Sequence, residues 1–215
     1  SLFAHLTLNP TEKLSIIGGI RFTDDSKDYY YGRRNPYNPA QVAYTAAGLV
    51  DGVEGHYKGE RVDYRANIQY RWTPELMTYA QFSTGYRAGG INPRPYVLEQ
   101  ALPFSPETLQ AWEVGFKADL FDRKFRLNGS LFLNDYKDII FNNQAPTPNS
   151  ALNGTPTNAG DARFKGVELE ANIRPVRGLQ IDASGSYLGF KFKRIGAAGA
   201  TIVGITLDSQ APFSP

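Results

Sequence analysis

Cysteine is absent from the 215 residues, methionine occurs once and histidine only twice. Without a thiol there is no disulfide scaffold, no thiolate nucleophile and no Cys-ligated zinc or iron–sulfur centre. The two histidines, His5 and His56, leave no histidine-rich metal cluster and little material for a nucleophile–base pair. Neither a GxxxxGK[ST] phosphate cradle nor a GxGxxG turn occurs, so the chain reads as a non-enzyme with no cofactor. An excess of one charge is missing as well. The 23 Lys+Arg stand against 21 Asp+Glu, a formal net charge of +2, too balanced for a nucleic-acid surface. No apolar run reaches the roughly 18 residues of a membrane-spanning helix. A spanning β-strand needs only about 10 alternating residues, however, and mean hydropathy passes over it. No basic leader with a long apolar stretch opens the chain. With a start inside an alternating segment and a finish at APFSP, it reads as a portion of something longer.

What is abundant points to strands and turns: 13 Tyr and 13 Phe, with 21 Gly and 14 Pro. The clearest strand is RVDYRANIQYRW, residues 61–72. Val62, Tyr64, Ala66, Ile68, Tyr70 and Trp72 share one face, while Arg61, Asp63, Arg65, Asn67, Gln69 and Arg71 share the other. Similar alternation marks residues 2–8, 14–23, 76–87, 112–120, 126–133, 165–173 and 181–187, about eight strands in all. Residues 105–120 invite a competing reading. Ser105-Pro106-Glu107 could start a helix, and Leu109, Trp112, Phe116 and Leu120 form a helical stripe. Gly115 would cost such a helix about 1 kcal/mol, and with strands on either side the segment is read as a strand.

The connections alternate strictly in length. Residues 9–13, 73–75, 121–124 and 174–178 are tight turns, whereas 24–59, 88–106, 141–162 and 193 onward are long loops. This is the layout of an outer-membrane barrel, with short periplasmic turns at one end and long extracellular loops at the other. Tyr70 and Trp72 beside a short turn suit an interfacial aromatic girdle, and the charged face of residues 61–71 suits a wide, wet lumen. A soluble β-protein burying the same apolar faces against a second sheet is the competing architecture.

On these features the chain resembles the TonB-dependent outer-membrane receptors. GGIRFTDDSKDY (18–29) resembles the strand that leaves the periplasm for a long loop, and YAQFSTGYRAGGINP (79–93) a strand ending in a Gly-Tyr-Arg loop start. ETLQAWEVGFKADLFDRKFRLNGSLFLNDYKDI (107–139) and NAGDARFKGVELEANIRPVRGLQIDASGSYL (158–188) resemble two successive hairpins of that family. The resemblance implies an all-β fold: part of a large antiparallel transmembrane β-barrel, with about eight strands present of a type with about 22. Residues 1–215 are then expected to be a partial barrel domain, without the plug domain and the C-terminal strands. It further implies a Gram-negative outer membrane, contact with its lipid, and energy from TonB with ExbB and ExbD through the plug region. The cargo would be a scarce solute, foremost a ferric siderophore. A vitamin, oligosaccharide or other metal complex, or a structural or adhesive barrel, are the alternatives.

Within that frame, Tyr29, Tyr30, Tyr31, Arg33 and Arg34 of the first long loop are candidate ligand residues. Aromatic faces beside guanidinium groups suit an anionic, aromatic ferric complex; the same cluster could instead extend the wall as an interface belt. Arg87, where a strand meets the second long loop, is either a ligand residue or a lumen cation paired with a carboxylate. Arg61, Asp63, Arg65, Asn67, Gln69 and Arg71 are expected to face the lumen. The uncharged segment IGAAGATIVGI (195–205) reads either as a packing loop or as a linker.

Overall fold

A computed structural model describes residues 1–32, 52–93, 95, 98–101, 103–143, 155–196 and 206–209. The strands are β1 (Leu2–Leu8), β2 (Leu14–Tyr31), β3 (Val53–Thr73), β4 (Leu76–Arg87), β5 (Gly90–Ile91), β6 (Pro103–Phe104), β7 (Glu107–Leu120), β8 (Phe125–Asn143), β9 (Thr155–Ile173) and β10 (Ile181–Ile195). A 3₁₀ turn spans Leu98–Ala101. Eight strands form one antiparallel sheet in the order β1-β2-β3-β4-β7-β8-β9-β10, and β5 pairs with β6 as a small hairpin. The competing helix at 105–120 is thus a strand, its Gly115 paired with Tyr79 and Ser130. In the tight turn after β7, Phe121, Asp122 and Arg123 all take positive φ, at 54°, 54° and 64°. The expected loops at 24–59 and 141–162 are shorter than the sequence indicated, because β2 continues to Tyr31, β3 begins at Val53, β8 continues to Asn143 and β9 begins at Thr155. The segment 195–205 lies largely outside the described residues.

Partners across each ladder share a face, so the register sorts the side chains into rows. One row runs Ile68, Ala80, Val114, Leu131, Val167, Tyr187. Its members are open to the outside: Ile68 is 47% exposed, Val114 49% and Leu131 57%. No second sheet covers that face among the described residues, which removes the sandwich reading. The lowest apolar row is Leu120, Phe125, Ile173 and Ile181; the highest holds Phe82, Trp112 and Leu133. Eight residues separate them, about 26 Å along a strand and about 20 Å along the normal at the usual barrel tilt, close to a lipid-facing band of about 25 Å.

Immediately above Trp112 the sheet inverts its polarity. The next outward row is Thr84, Gln110, Asp135, Arg163, Lys191. The apolar residues now lie on the inner face. Ile139, Ala159, Ala162 and Phe192 are buried there, with Tyr136, Phe141, Phe164 and Phe190 packed against them. Tyr136, Phe164, Phe190, Phe192 and Phe141 follow one another edge to face, with centroids 5.3, 4.7, 5.0 and 5.8 Å apart. On the other flank, the outward sequence Ile20, Phe22 gives way to Asp24, Ser26 and Asp28, while Tyr29 and Tyr57 take inward positions.

The upper ends are staggered. β2 and β3 pair as far as Tyr31–Val53, and β8 and β9 as far as Asn143–Thr155, whereas β4 and β7 stop at Arg87–Glu107.

Ile68→Arg places a charge on the lipid face and should lower stability by about 2–4 kcal/mol near mid-bilayer. Gln69→Arg, on the inner face, should cost far less. Reversible unfolding of the full-length protein from lipid bilayers measures both; equal losses would reverse the face assignment.

Candidate functional site

The inner face above the band carries phenols and paired charges. On the polar face of β3, Arg65 donates to Gln81 Oε1 at 2.6 Å, Arg61 Nε lies 3.4 Å from Asp63, and Asn67 is buried. Gln69 stands opposite Tyr79 and Arg71 opposite Met77. An open concavity of about 900 Å³ lies over this face, bordered by His5, Arg21, Asp63, Arg65, Ser83 and Tyr86.

Regular pairing between β3 and β4 ends at Arg65–Ser83. Beyond it, the Thr84 hydroxyl accepts from the Tyr64 N–H and donates to Asp63, both at 3.0 Å. One turn of the pleat higher, the Tyr86 and Tyr57 hydroxyls meet at 2.9 Å. Burial, the hydrogen bond to Tyr57, and the nearby Asp25 and Asp63 carboxylates push the Tyr86 phenol up. It therefore stays neutral and keeps its proton. Lys27 Nζ sits 5.2 Å from the centre of the Tyr57 ring, 3.3 Å from Asp25, and donates to the Gly89 carbonyl at 3.2 Å. Lys27 and Arg61 each already lie against a carboxylate, Asp25 and Asp63.

The connection between β4 and β7 folds onto this cluster because glycines let it approach. A Cβ on Gly55 would lie 1.8 Å from Ile91 Cδ1; one on Gly89 would lie 2.4 Å from the Phe104 carbonyl and 2.8 Å from the Tyr57 ring. Ile91 and Asn92 are buried by this docking. At its far end Asn158 exchanges two hydrogen bonds with the Ser105 backbone, at 2.7 and 2.9 Å, and donates to the Asp138 carbonyl.

A charged clamp stiffens the opposite rim. Arg194 makes two 2.9 Å hydrogen bonds to Asp161 and one to Asp138, and Arg163 grips Asp135 through two bonds at 2.7 Å. The Arg194 contacts hold the Asp161 carboxyl below its ordinary range against the opposing effect of burial.

Of the residues singled out from sequence, Tyr29 and Tyr31 take inward positions on β2, but the alternation turns Tyr30 outward, where it is 70% exposed. The three do not form one cluster. Arg33 and Arg34 lie outside the described residues. Arg87 is exposed at the end of β4, opposite Glu107 in the ladder. Sequence reasoning missed Lys27, Tyr57 and Tyr86, although a continuing two-residue period with apolar residues inward could have revealed the first two. Among the described residues no group of His, Asp and Glu could hold a metal ion.

The model of the family described as TonB dependent receptor-like, beta-barrel, matches residues 1–214. The pesticin receptor of Yersinia enterocolitica is 28% identical over 193 residues, covering 88% of this chain and 26% of that protein. The crystal structure of the ferric yersiniabactin uptake receptor FyuA from Yersinia pestis superposes with a TM-score of 0.70 at 26% identity, over 88% of this chain and 26% of that one. The siderophore receptor PiuA from Acinetobacter baumannii shares the fold, with a TM-score of 0.65 at 17% identity over 90% of this chain and 25% of its own. The chain thus spans about a quarter of the length of the curated relatives it matches.

Gly89→Ala should unseat the β4–β7 connection, at a cost of about 1–3 kcal/mol. Faster hydrogen exchange at Gly90, Ile91 and Phe104, with β7 and β8 unchanged, is the expected readout. Asp161, its folded pKa depressed, stabilises the rim above its unfolded pKa of about 3.9. That contribution is lost as pH falls through the lower folded value. Protection of Gly160 and its neighbours, corrected for intrinsic exchange, should therefore decline below about pH 4. Arg194→Gln should lower it at neutral pH and flatten the profile.

Proposed function

Because the chain belongs to the TonB-dependent receptor family and matches its β-barrel, we propose that it forms part of the wall and binding mouth of a Gram-negative outer-membrane receptor that imports a ferric siderophore. The observation that carries this reading is the mouth itself. The phenols of Tyr57 and Tyr86, bonded to each other, a third phenol at Tyr29, and the cations Lys27 and Arg61 gather at the upper edge of the sheet above the lipid band. Aromatic faces stack on aromatic chelating groups, and ammonium and guanidinium donors recognise their oxyanions. An anionic complex entering here competes with Asp25 and Asp63 for the two cations, so binding exchanges one set of ion pairs for another. That exchange keeps the empty mouth free of uncompensated charge.

Arg33 and Arg34, two and three residues beyond the inward Tyr31, and Arg87 are proposed as further contacts at the rim. The wet inner row from Arg61 to Arg71 is proposed to face the plug and the path of the solute. Energy reaches the site from TonB, working with ExbB and ExbD on the plug region of the complete receptor. The relationship to a ferric yersiniabactin uptake receptor supports iron in chelated form as the cargo.

Cells carrying the full-length protein should accumulate radio-iron from at least one ferric siderophore, and deletion of either the receptor or TonB should abolish that uptake. Lys27→Gln with Arg61→Gln should weaken uptake about tenfold through the concentration needed for half-maximal rate, from the loss of charge-assisted hydrogen bonds. The absence of any receptor-dependent uptake across hydroxamate, catecholate and phenolate siderophores would remove iron as the cargo.

A further inference from the structure

Above the apolar band the sheet splits. Regular pairing between β3 and β4 ends at Arg65–Ser83. Beyond it β4 continues with β7 as far as Arg87–Glu107, while β3 stays with β2 as far as Val53–Tyr31. The upper part of β3 therefore has a ladder on one edge only among the described residues. Along a strand, the N–H and C=O of one residue point to one edge and those of the next residue to the other. The Tyr64 N–H bonds to Thr84 on the β4 side and the Arg71 N–H to Lys13 on the β2 side, with no register shift along β2–β3. Even-numbered residues thus face the split. Glu54, His56, Lys58 and Glu60 all turn their backbone N–H and C=O to it, and none of these groups has a partner among the described residues.

An open edge of this kind invites another strand, and folded proteins usually guard it with proline, a bulge or a free lysine. Here neither proline nor bulge interrupts residues 53–60, and Lys58 is tied to Glu60 at 3.6 Å. The split is floored from inside, where the Tyr57 and Tyr86 hydroxyls meet at 2.9 Å and Ile91 lies against Gly55. On its outer side Glu54, His56, Lys58 and Glu60 are exposed. The outward charges there are Asp24, Asp28, Glu54 and Glu60 against Lys58, with His56 Nδ1 2.6 Å from Asp28. Asp24 and Glu54 make no ion pair among the described residues. The surplus is negative, so the strand that fits beside it is basic.

We propose that the free edge of β3 at residues 54–60 binds an extended basic segment of a protein or peptide ligand by strand addition. The backbone groups of the four even-numbered residues supply the ladder, and alternate side chains of the ligand supply the choice of partner. Basic side chains of the added strand stand outward beside Glu54 and Glu60, and those between them turn inward over the Tyr57–Tyr86 bridge. The inference rests on strand pairing and is independent of the solute carried.

The full-length protein in lipid nanodiscs, titrated with a short peptide alternating Lys and Val, tests this by binding and by hydrogen exchange. The peptide should slow exchange of the His56, Lys58 and Glu60 amides about tenfold, and leave Tyr57 and Gly59, already paired with β2, unchanged. The same peptide with an N-methylated backbone, which keeps its charge and loses its donors, should bind at least about tenfold more weakly. A peptide alternating Glu and Val should also bind more weakly. Lys58→Pro, which removes a donor from the free edge alone, should weaken binding about fivefold, whereas Lys58→Gln should not weaken it. Unchanged exchange at Tyr57 and Gly59 in the proline variant shows that β3 still pairs with β2. A Lys–Val peptide that fails to bind, that binds equally well when N-methylated, or that leaves the edge amides exchanging as before overturns the site.

Discussion

Every backbone N–H and C=O that faces hydrocarbon must find its partner inside the protein, because each one left alone costs several kcal/mol there. That requirement makes the ladder between neighbouring strands the element on which the rest depends. A ladder fixes a period of two, and a slip of one residue would turn every lipid-facing side chain into the lumen. The irregularities obey the same rule. Register shifts occur at Tyr136–Ile140 and Phe192–Arg194, above the Trp112 row, and at Arg71–Thr73, beside the short turn at the lower edge of the band. Between that lower edge and the Trp112 row the ladders run unbroken; above it, side chains such as Asn158 and Asp161 satisfy what a bulge leaves open.

The same period serves two environments in turn. Within the band it sends Ile68, Val114 and Leu131 to lipid and Arg65, Gln81 and Glu113 to the inside. Above Trp112 the strands continue without a break, but water now lies outside, and the apolar side chains gather inward around Phe192 and Ala162. One strand thus builds a membrane wall and then a small water-soluble core, with no change of direction or register at the boundary on β7 or β9. The phenolic mouth sits at that transition, where polar and apolar groups share the inner face.

How much of this the sequence disclosed follows from the length scale of each interaction. The membrane part was legible because its signal is local: twelve residues from Arg61 to Trp72 alternate without interruption. The extensions of β2, β3, β8 and β9 were read as loops because Gly, Tyr and Asn dilute the alternation and its polarity is reversed. Tyr29 to Tyr31 looked like one cluster along the chain, yet a strand sends neighbours to opposite sides. The mouth was hidden for a different reason. Lys27 reaches Gly89 across 62 positions and Tyr57 meets Tyr86 across 29, pairings that no local pattern announces. The glycines at 55 and 89 stood in the sequence, but only the docked chain opposite explains why a side chain is forbidden there.

The staggered strand ends give the wall a skyline with two towers and a saddle. The pair β2–β3 and the pair β8–β9 rise well above the point where β4 and β7 part at Arg87 and Glu107. Measured from the Trp112 row, β8 climbs five residues beyond the saddle, about 17 Å. The β4–β7 connection spans that saddle, from Gly89 against the Tyr57 ring to Ser105 on Asn158, so the low stretch of wall is braced from both towers instead of being left as a gap.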